Sequence, residues 1–172
     1  MEFNKNVNPK AKTKLFKIYA DVSGGSTPEW ELQGRGVESW TINENQDIDK
    51  KQDVLGLVDM DRGDAQPTQS GITVKLRKDS KFGAMLFDAW LTGDKSKLDA
   101  VKILQKFEFV DGDDENTCLA RLEEDVMIGI DSWNGEASDY LGFEISIHYS
   151  NKRTIGTMPI EDGESITFTP KN

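Results

Sequence analysis

The amino-acid sequence predicts a mainly β domain: an antiparallel β-sandwich or barrel with one flanking α-helix, a long inter-strand loop and extended terminal arms. Three observations support this fold class. Apolar and polar residues alternate with a period of two through most of the chain, which is typical of half-buried strands. One segment alone has the three-and-four spacing of a helix. The predicted order is strands, one helix and again strands, which excludes the regular alternation of a parallel α/β fold.

The clearest predicted strand is "YLGFEISIHY", residues 140–149. Its apolar face holds Leu141, Phe143, Ile145, Ile147 and Tyr149, and its other face holds Gly142, Glu144, Ser146 and His148. The same alternation runs through 71–78 and, less regularly, through 101–110. In the longer run at 117–133 the acids Glu123, Glu124 and Asp125 interrupt the pattern. We expect a bulge there, or a place where the sheet leaves the core.

The single predicted helix lies in "DSKFGAMLFDAWLTGD", residues 79–94. Asp79 or Ser80 is a suitable N-cap, and Gly93 is a suitable C-terminal breaker. The residues spaced to face the sheet are Phe82, Met85, Leu86, Ala89 and Trp90.

With 172 residues, the chain is long enough for one domain with a substantial core. Residues 1–13 hold Asn, Pro and Lys with little to bury and predict a flexible N-terminal arm. The β domain is expected at 14–160, and a C-terminal arm at 161–172 follows a glycine turn. Within the domain, a long loop at 44–70 carries many acids and a short apolar island at 54–58. Loops of this length are usually functional or disordered.

The net charge of −10 argues against a conventional nucleic-acid binder, which needs a basic face. The lone cysteine, Cys118, has no intrachain partner for a disulfide, and its predicted strand suits a small buried thiol. No apolar run approaches the roughly 20 residues of a membrane span, and the N-terminus lacks the apolar centre of a signal peptide. We therefore expect a protein made and folded in a cytoplasm.

The sequence offers little for catalysis or metal binding. The single histidine, His148, is predicted on the wet face of a strand, without His or Cys partners. The acidic run at 111–116 lacks the order of a calcium loop and fits a hairpin turn, and the acids at 59–64 fit a solvated loop tip. Gly34 and Gly36 precede no helix that would bind a phosphate. We therefore predict no catalytic residue, no metal and no cofactor, and a protein that is not an enzyme.

Two segments, 30–56 and 125–158, together with the order of elements between them, resemble the tail tube (major tail) proteins of long-tailed bacteriophages, of the siphophage type from Gram-positive hosts. The resemblance covers about two thirds of the chain. It implies a phage tail tube fold, in which hexameric rings stack into a hollow tube that conducts DNA. It also implies a place in the virion tail after assembly in the host cytoplasm. The implied partners are further copies of the chain, the tape measure, the tail terminator and the distal tail protein, with DNA passing through the lumen unbound and no membrane contact.

The resemblance also implies two sets of assembly residues. The long loop is expected to reach a neighbouring ring through Asp47, Asp49, Asp53, Val54, Leu55, Leu57, Val58, Asp59 and Asp61. The lumen is expected to be lined by wet faces of strands without aromatic side chains, which suits DNA that slides without sticking. The candidates are Ser39, Thr41, Asn43, Thr73, Lys75, Glu123, Asp125, Glu144 and Ser146. Lys75 argues against a purely acidic lining.

Two alternatives remain at the level of sequence. One is a monomeric carbohydrate- or ligand-binding β-sandwich, in which the loop residues Trp30 and Trp133 stack on a sugar ring. Both tryptophans fit a core or interface position as well. The other is an enzyme that uses His148.

Overall fold

The computed structural model describes residues 13–25, 27–33, 41–52, 54–135, 140–161 and 166–171. The predicted mainly β fold with a single α-helix is confirmed in this part of the chain. The elements in chain order are β1 (Phe16–Asp21), β2 (Trp30–Gln33), β3 (Thr41–Asn43), β4 (Ile48–Gln52), β5 (Val58–Arg62), β6 (Thr68–Lys75), α1 (Lys81–Thr92), β7 (Val101–Asp111), β8 (Thr117–Asn134), β9 (Gly142–His148), β10 (Lys152–Pro159) and β11 (Thr169–Pro170). Short 3₁₀ turns lie at Thr13–Leu15 and Ser96–Leu98.

All strand pairs are antiparallel, and the main order is β2-β1-β7-β8-β9-β6-β3. The 18-residue strand β8 belongs to two sheets. Its first half pairs with β7 and β10, and with β1, β2 and β11 these strands form the first sheet. Its second half pairs with β9, and with β6 and β3 these strands form the second sheet.

The change of sheet occurs at the acidic interruption in β8. Val126 is opposite Val101, but Glu123 is opposite Ile103, so the pairing contains a bulge between these positions. Asp125 within the bulge has φ of +53°, a left-handed conformation that turns the strand. The predicted bulge is confirmed, and β8 continues through it as one strand.

The main core lies between the two sheets and α1. It combines Ile18, Ala20 and Ile103 of the first sheet, Ile72, Val74, Phe143, Ile145 and Ile147 of the second, and Phe82, Leu86 and Ala89 of the helix. Ser80 caps the helix as predicted, since its Oγ accepts a hydrogen bond from Gly83 N at 2.9 Å, and Gly93 ends it with φ of +74°. Trp90, which we expected on the buried face, is 44% exposed. Within the described residues, no helix is both long and apolar enough to cross a membrane.

A second apolar cluster covers the outer face of the first sheet. Its buried members are Tyr19, Leu104, Cys118, Ala120 and Met158, and its partly buried members include Trp30, Ile166 and Phe168. Cys118 is buried as predicted. Gly156 in β10 leaves room for the C-terminal segment, because a Cβ there would lie 2.3 Å from Thr169 O and 2.5 Å from the Phe168 ring. Residues 166–171 therefore pack on their own subunit.

The long loop contains a feature that the sequence did not predict. β4 and β5 form a two-stranded hairpin, with Ile48 opposite Arg62 and Gln52 opposite Val58. The loop is also shorter than expected, because β6 begins at Thr68. The N-terminal arm at 1–12, and Gly34, Gly36, Ser39 and Asp53, lie outside the described residues.

Candidate assembly surfaces

The outer face of the second sheet is polar across all four strands, and we call it the polar face. The register places Thr73 opposite Glu144, Glu144 opposite Ser132, Ser146 opposite Gly129, and Thr41 opposite Ser70. The alternating residues of the same strands point into the core. The described positions of the polar face are Thr41, Asn43, Thr68, Ser70, Thr73, Lys75, Met127, Gly129, Asp131, Ser132, Asn134, Gly142, Glu144, Ser146 and His148. Met127 is the one large apolar side chain among these described positions, and none of them is Phe, Tyr or Trp.

Two side-chain hydrogen bonds order the centre of the polar face. Ser146 Oγ donates to Asp131 Oδ1 at 2.9 Å, and Ser132 Oγ donates to Glu144 Oε2 at 3.2 Å. Gly129 leaves the space for Ser146, because a Cβ at position 129 would lie 2.7 Å from Ser146 Oγ. The face is a layer of hydroxyl and carboxylate groups held close to the backbone, with Lys75 at one end.

The two outermost strands of the second sheet have unpaired edges in the described part of the chain. β3 pairs with β6 alone, and the second half of β8, Met127–Asn134, pairs with β9 alone. An open edge presents a row of backbone N–H and C=O groups to which another strand can bind. The polar face therefore ends on both sides in an edge suited to pairing with another chain.

The structure brings six of the nine lumen candidates onto the polar face: Thr41, Asn43, Thr73, Lys75, Glu144 and Ser146. Asp125 is exposed at the bulge, where its carboxylate lies 3.2 Å from Lys152 Nζ. Glu123 requires a correction, because its side chain is only 1% exposed. Both faces of the first sheet are covered, one by the second apolar cluster and the other by the main core, so the alternation at 117–123 has no wet face.

Glu123 lies in a buried polar network. Its Oε1 lies 2.8 Å from Arg121 Nε and 3.4 Å from Arg153 Nε, but neither carboxylate oxygen has a hydrogen-bond partner of good geometry among the described residues. Burial raises the pKa of Glu123, and the two arginines oppose that effect. Arg121 also donates to Gln105 Oε1 at 2.7 Å.

The network continues to the base of the β3–β6 connection. Tyr149 donates its hydroxyl proton to Gln69 Oε1 at 2.9 Å, and burial raises the pKa of Tyr149 to about 12. Sequence reasoning missed Gln105, although it is in phase with the apolar Ile103 and Phe107. It also missed Gln69, which is out of phase with the apolar residues of β6 and reaches the buried face through the register shift before Ile72. These side chains occupy the end of the core from which the β4–β5 hairpin leaves the sheet.

The β4–β5 hairpin, residues 48–62, is the second candidate surface. Its base is fixed by backbone hydrogen bonds from Gly63 N to Asp47 O and from Gln66 N to Glu44 O, at 3.0 and 3.1 Å. Its apolar side chains lie in solvent, with Val54 103%, Leu55 80%, Leu57 66% and Val58 57% exposed. Ile48 and Met60 are also exposed.

The described acidic loop candidates lie on the two strands of the hairpin or directly before it. Asp47 precedes β4, Asp49 lies on β4, and Asp59 and Asp61 lie on β5. A hairpin that exposes this much apolar side chain is typical of an interaction surface.

The features expected of a sugar-binding or catalytic site do not converge. Trp30 and Trp133 lie in strands, not loops, and pack against different apolar clusters. The Trp133 ring stacks on Trp90 at 5.2 Å and lies 4.6 Å from Phe143. A cleft of about 370 Å³ near Met85 and Lys97 is lined by neither tryptophan. The described part of the chain holds no group of three or more potential metal ligands, and the run at 111–116 is a hairpin turn between β7 and β8.

Comparison with solved structures shows where this fold occurs. A chain in the cryo-EM structure of the sheath/tube terminator of an extracellular contractile injection system, PVC, in its extended state aligns over 88% of this chain and 98% of its own length, with 12% identity and a TM-score of 0.52. A chain in the structure of the anti-feeding prophage cap, described as the AFP tube terminating cap, aligns over 90% of this chain and 95% of its own length, with 14% identity and a TM-score of 0.50. No model of a protein family matches the sequence, and no curated protein matches it. The chain thus has a fold found in components of tail-like injection systems.

Proposed function

We propose that this chain is the subunit of a phage tail tube, in which hexameric rings stack into a hollow conduit for DNA. One observation carries the proposal: the polar face extends across a four-stranded sheet whose two edges are unpaired among the residues that the structure describes. A sheet of this kind is completed when copies arranged in a ring join edge to edge, because cyclic closure removes every exposed edge.

The strand directions support edge-to-edge joining. The four strands β8, β9, β6 and β3 alternate in direction, so β8 and β3 at the two edges run antiparallel. Copies related by rotation about a ring axis keep their strand directions. β3 of one copy therefore meets β8 of the next in antiparallel orientation, and the ladder continues around the ring without a change of pattern.

The chemistry of the polar face suits a lumen. Its hydroxyl groups and the carboxylates of Asp131 and Glu144 offer DNA no aromatic stacking platform, and the chain carries a net charge of −10. A negative, polar wall repels the phosphate backbone and lets the duplex slide. Lys75 lies at the end of the face, where its ammonium group is 5.7 Å from the centre of the Tyr140 ring.

The proposed location is the virion tail, after assembly in the host cytoplasm. The proposed partners beyond the chain itself are the tape measure, the tail terminator and the distal tail protein. The role is structural, without catalysis, metal or cofactor. His148 is then a wall residue, and His148→Ala is expected to leave assembly unchanged.

A second candidate is a terminator that closes a tube. The two structures compared above are described as a sheath/tube terminator and a tube terminating cap. The two roles differ in the number of rings that associate, because a tube subunit stacks without limit and a terminator stops at one ring.

Negative-stain electron microscopy of the purified chain over a range of concentrations tests these roles. Hexameric rings that stack into tubes are expected, single rings alone would indicate a terminator, and a monomer at every concentration would contradict both. Deletion of residues 47–66 is expected to leave a folded domain that does not polymerise. If that variant forms tubes, the hairpin is not required for ring stacking.

A protease offers an independent check. It is expected to cut the hairpin and residues 1–13 in the monomer and to spare them in tubes. Equal cutting in both states would contradict ordering on assembly.

A further inference from the structure

A second exposed apolar surface, which we call the end patch, lies at the end of the second sheet far from the hairpin. Its members are Trp90, Leu91, Tyr140 and Leu141, with exposed fractions of 44%, 65%, 69% and 53%. The Trp90 ring stacks on the ring of Trp133, which packs against the main core. The Leu141 carbonyl accepts a hydrogen bond from Leu76 N at 2.8 Å, so the segment before β9 is tied to the end of β6.

The strand register places the hairpin and the end patch at opposite ends of the subunit. The hairpin leaves the sheet beside Asn43, Thr68 and His148, which are paired across β3, β6 and β9. The end patch lies beside the pair of Lys75 and Gly142. Between these ends β6 runs for eight residues, or about 25 Å at roughly 3.3 Å per residue. A subunit with different apolar surfaces at its two ends favours head-to-tail contact between copies.

The two ends also carry opposite charge. Residues 44–64, which include the hairpin, hold seven acidic and three basic residues, a net charge of −4. Residues 75–81, which connect β6 to α1 beside the end patch, hold four basic residues and one acidic residue. The carboxylates of Glu29 and Glu31 lie against Lys81, so the net charge of this end is +1. Opposite potentials steer two surfaces together and set their register. Contact between two hairpins is disfavoured by their like charge.

We propose that the end patch and the adjoining basic turn at 75–81 receive the β4–β5 hairpin of the next copy of this chain. The proposal rests on the proposed tube function and specifies its ring-to-ring contact. The apolar tip of the hairpin, at Val54 and Leu55, covers Trp90 and Leu91, and acids of the hairpin approach the basic turn. Because the contact joins one end of a subunit to the opposite end of the next, each added ring presents a new unfilled surface. Stacking then continues without a built-in limit.

Cross-linking between copies tests the contact directly. A Val54→Cys variant mixed with a Leu91→Cys variant is expected to give a dimer with a short bis-maleimide, whereas either variant alone is not. A chain with both substitutions is expected to give a ladder of linked species. The unsubstituted chain is the control, because its only thiol, at Cys118, is buried. Cross-links between two Val54→Cys chains in place of the mixed pair would overturn the proposal.

Introduction of a pair of opposite charges tests the same contact without a cross-linking reagent. Leu91→Asp and Val54→Lys are each expected to abolish tubes while leaving rings, and the double variant is expected to restore tubes because lysine then meets aspartate. Leu32→Asp, at a 43% exposed leucine on β2, is the matched control and is expected to form tubes. Added salt is expected to slow the growth of wild-type tubes, because it screens the opposite charges.

The outcomes separate the two proposals. If the wild-type chain forms tubes and the Leu91→Asp variant forms tubes of the same length, the end patch is not the receiving surface, but the proposed tube function stands. A wild-type chain that forms no rings or tubes and gives no mixed cross-link would overturn both.

Discussion

Glu31 is expected to hold α1 in place through a capping contact that comes from a distant strand. Its carboxylate accepts three hydrogen bonds at the start of the helix: from Ser80 Oγ at 2.7 Å, from Lys81 N at 2.7 Å and from Phe82 N at 2.9 Å. The first backbone N–H groups of a helix have no partner within the helix, and the helix dipole favours a negative charge there. Glu31→Ala removes all three acceptor contacts at once.

The size of the effect follows from these contacts. Loss of the acceptor for the Lys81 and Phe82 N–H groups is comparable to loss of an N-cap side chain, which costs about 1 kcal/mol, and loss of a carboxylate beside the N-terminus costs about 0.3–1 kcal/mol more. The hydrogen bond to Ser80 Oγ adds a further contribution of about 0.5 kcal/mol. We expect Glu31→Ala to lower the free energy of unfolding by about 2 kcal/mol, which for a chain of this length lowers Tm by about 4–8 °C. Glu31→Gln keeps an acceptor oxygen without the charge, and we expect about half the loss.

Urea and thermal unfolding followed by circular dichroism measure these changes, and hydrogen exchange at the Lys81 and Phe82 amides locates them. Glu29→Ala is the matched control, because Glu29 lies two residues away and forms an exposed ion pair with Lys81. Its removal is expected to cost less than about 0.5 kcal/mol. Equal losses for the Glu29 and Glu31 variants, or unchanged exchange at the two amides, would refute the capping role.

Three further substitutions test the packing and charge of the fold. Gly156→Ala places a Cβ against Thr169 O and the Phe168 ring, so we expect the free energy of unfolding to fall by about 2 kcal/mol and the C-terminal segment to be cut faster by protease. An unchanged rate of cleavage would contradict this contact. Ala100 has φ of +58°, and Ala100→Gly is expected to raise the free energy of unfolding by about 1 kcal/mol in urea titration, whereas a decrease would contradict strain there. Burial raises the pKa of Glu123, so its stabilising contribution is complete below the unfolded pKa and is lost as pH rises through the folded pKa. Glu123→Gln is expected to remove this part of the pH dependence of the urea midpoint, and parallel pH profiles of the two proteins would refute it.

The polar face was predictable from sequence because each of its strands has one buried and one wet side. Glu144 and Ser146 alternate with Phe143, Ile145 and Ile147, and period two alone assigns their faces. Glu123 was not predictable in this way, since both faces of its sheet are covered. A local pattern reports whether neighbouring side chains differ in burial, and it carries little information where both faces are buried.

The hairpin and the capping contact of Glu31 were not predicted from sequence, for different reasons. Every described side chain of β4 and β5 is exposed, so no burial pattern marks these strands, and their identity comes from pairing with each other. Ser80 was predicted as a cap because it is next to the helix in sequence. Glu31 contributes from 49 residues away, and only the packing of β2 beside α1 brings it there.

The strand β8 connects the core to the proposed ring contact. Its first half is paired on both sides, with β7 and β10, whereas its second half is paired on one side, with β9. The bulge at Asp125 separates these two environments within one continuous strand. Val126, Ile128 and Trp133 pack into the main core from the half that carries the open edge. That edge is therefore ordered before a neighbouring copy arrives, and pairing at it incurs less conformational entropy loss than ordering a free segment would. The hairpin packs far less on its own subunit, so in this arrangement rings are expected to form before they stack.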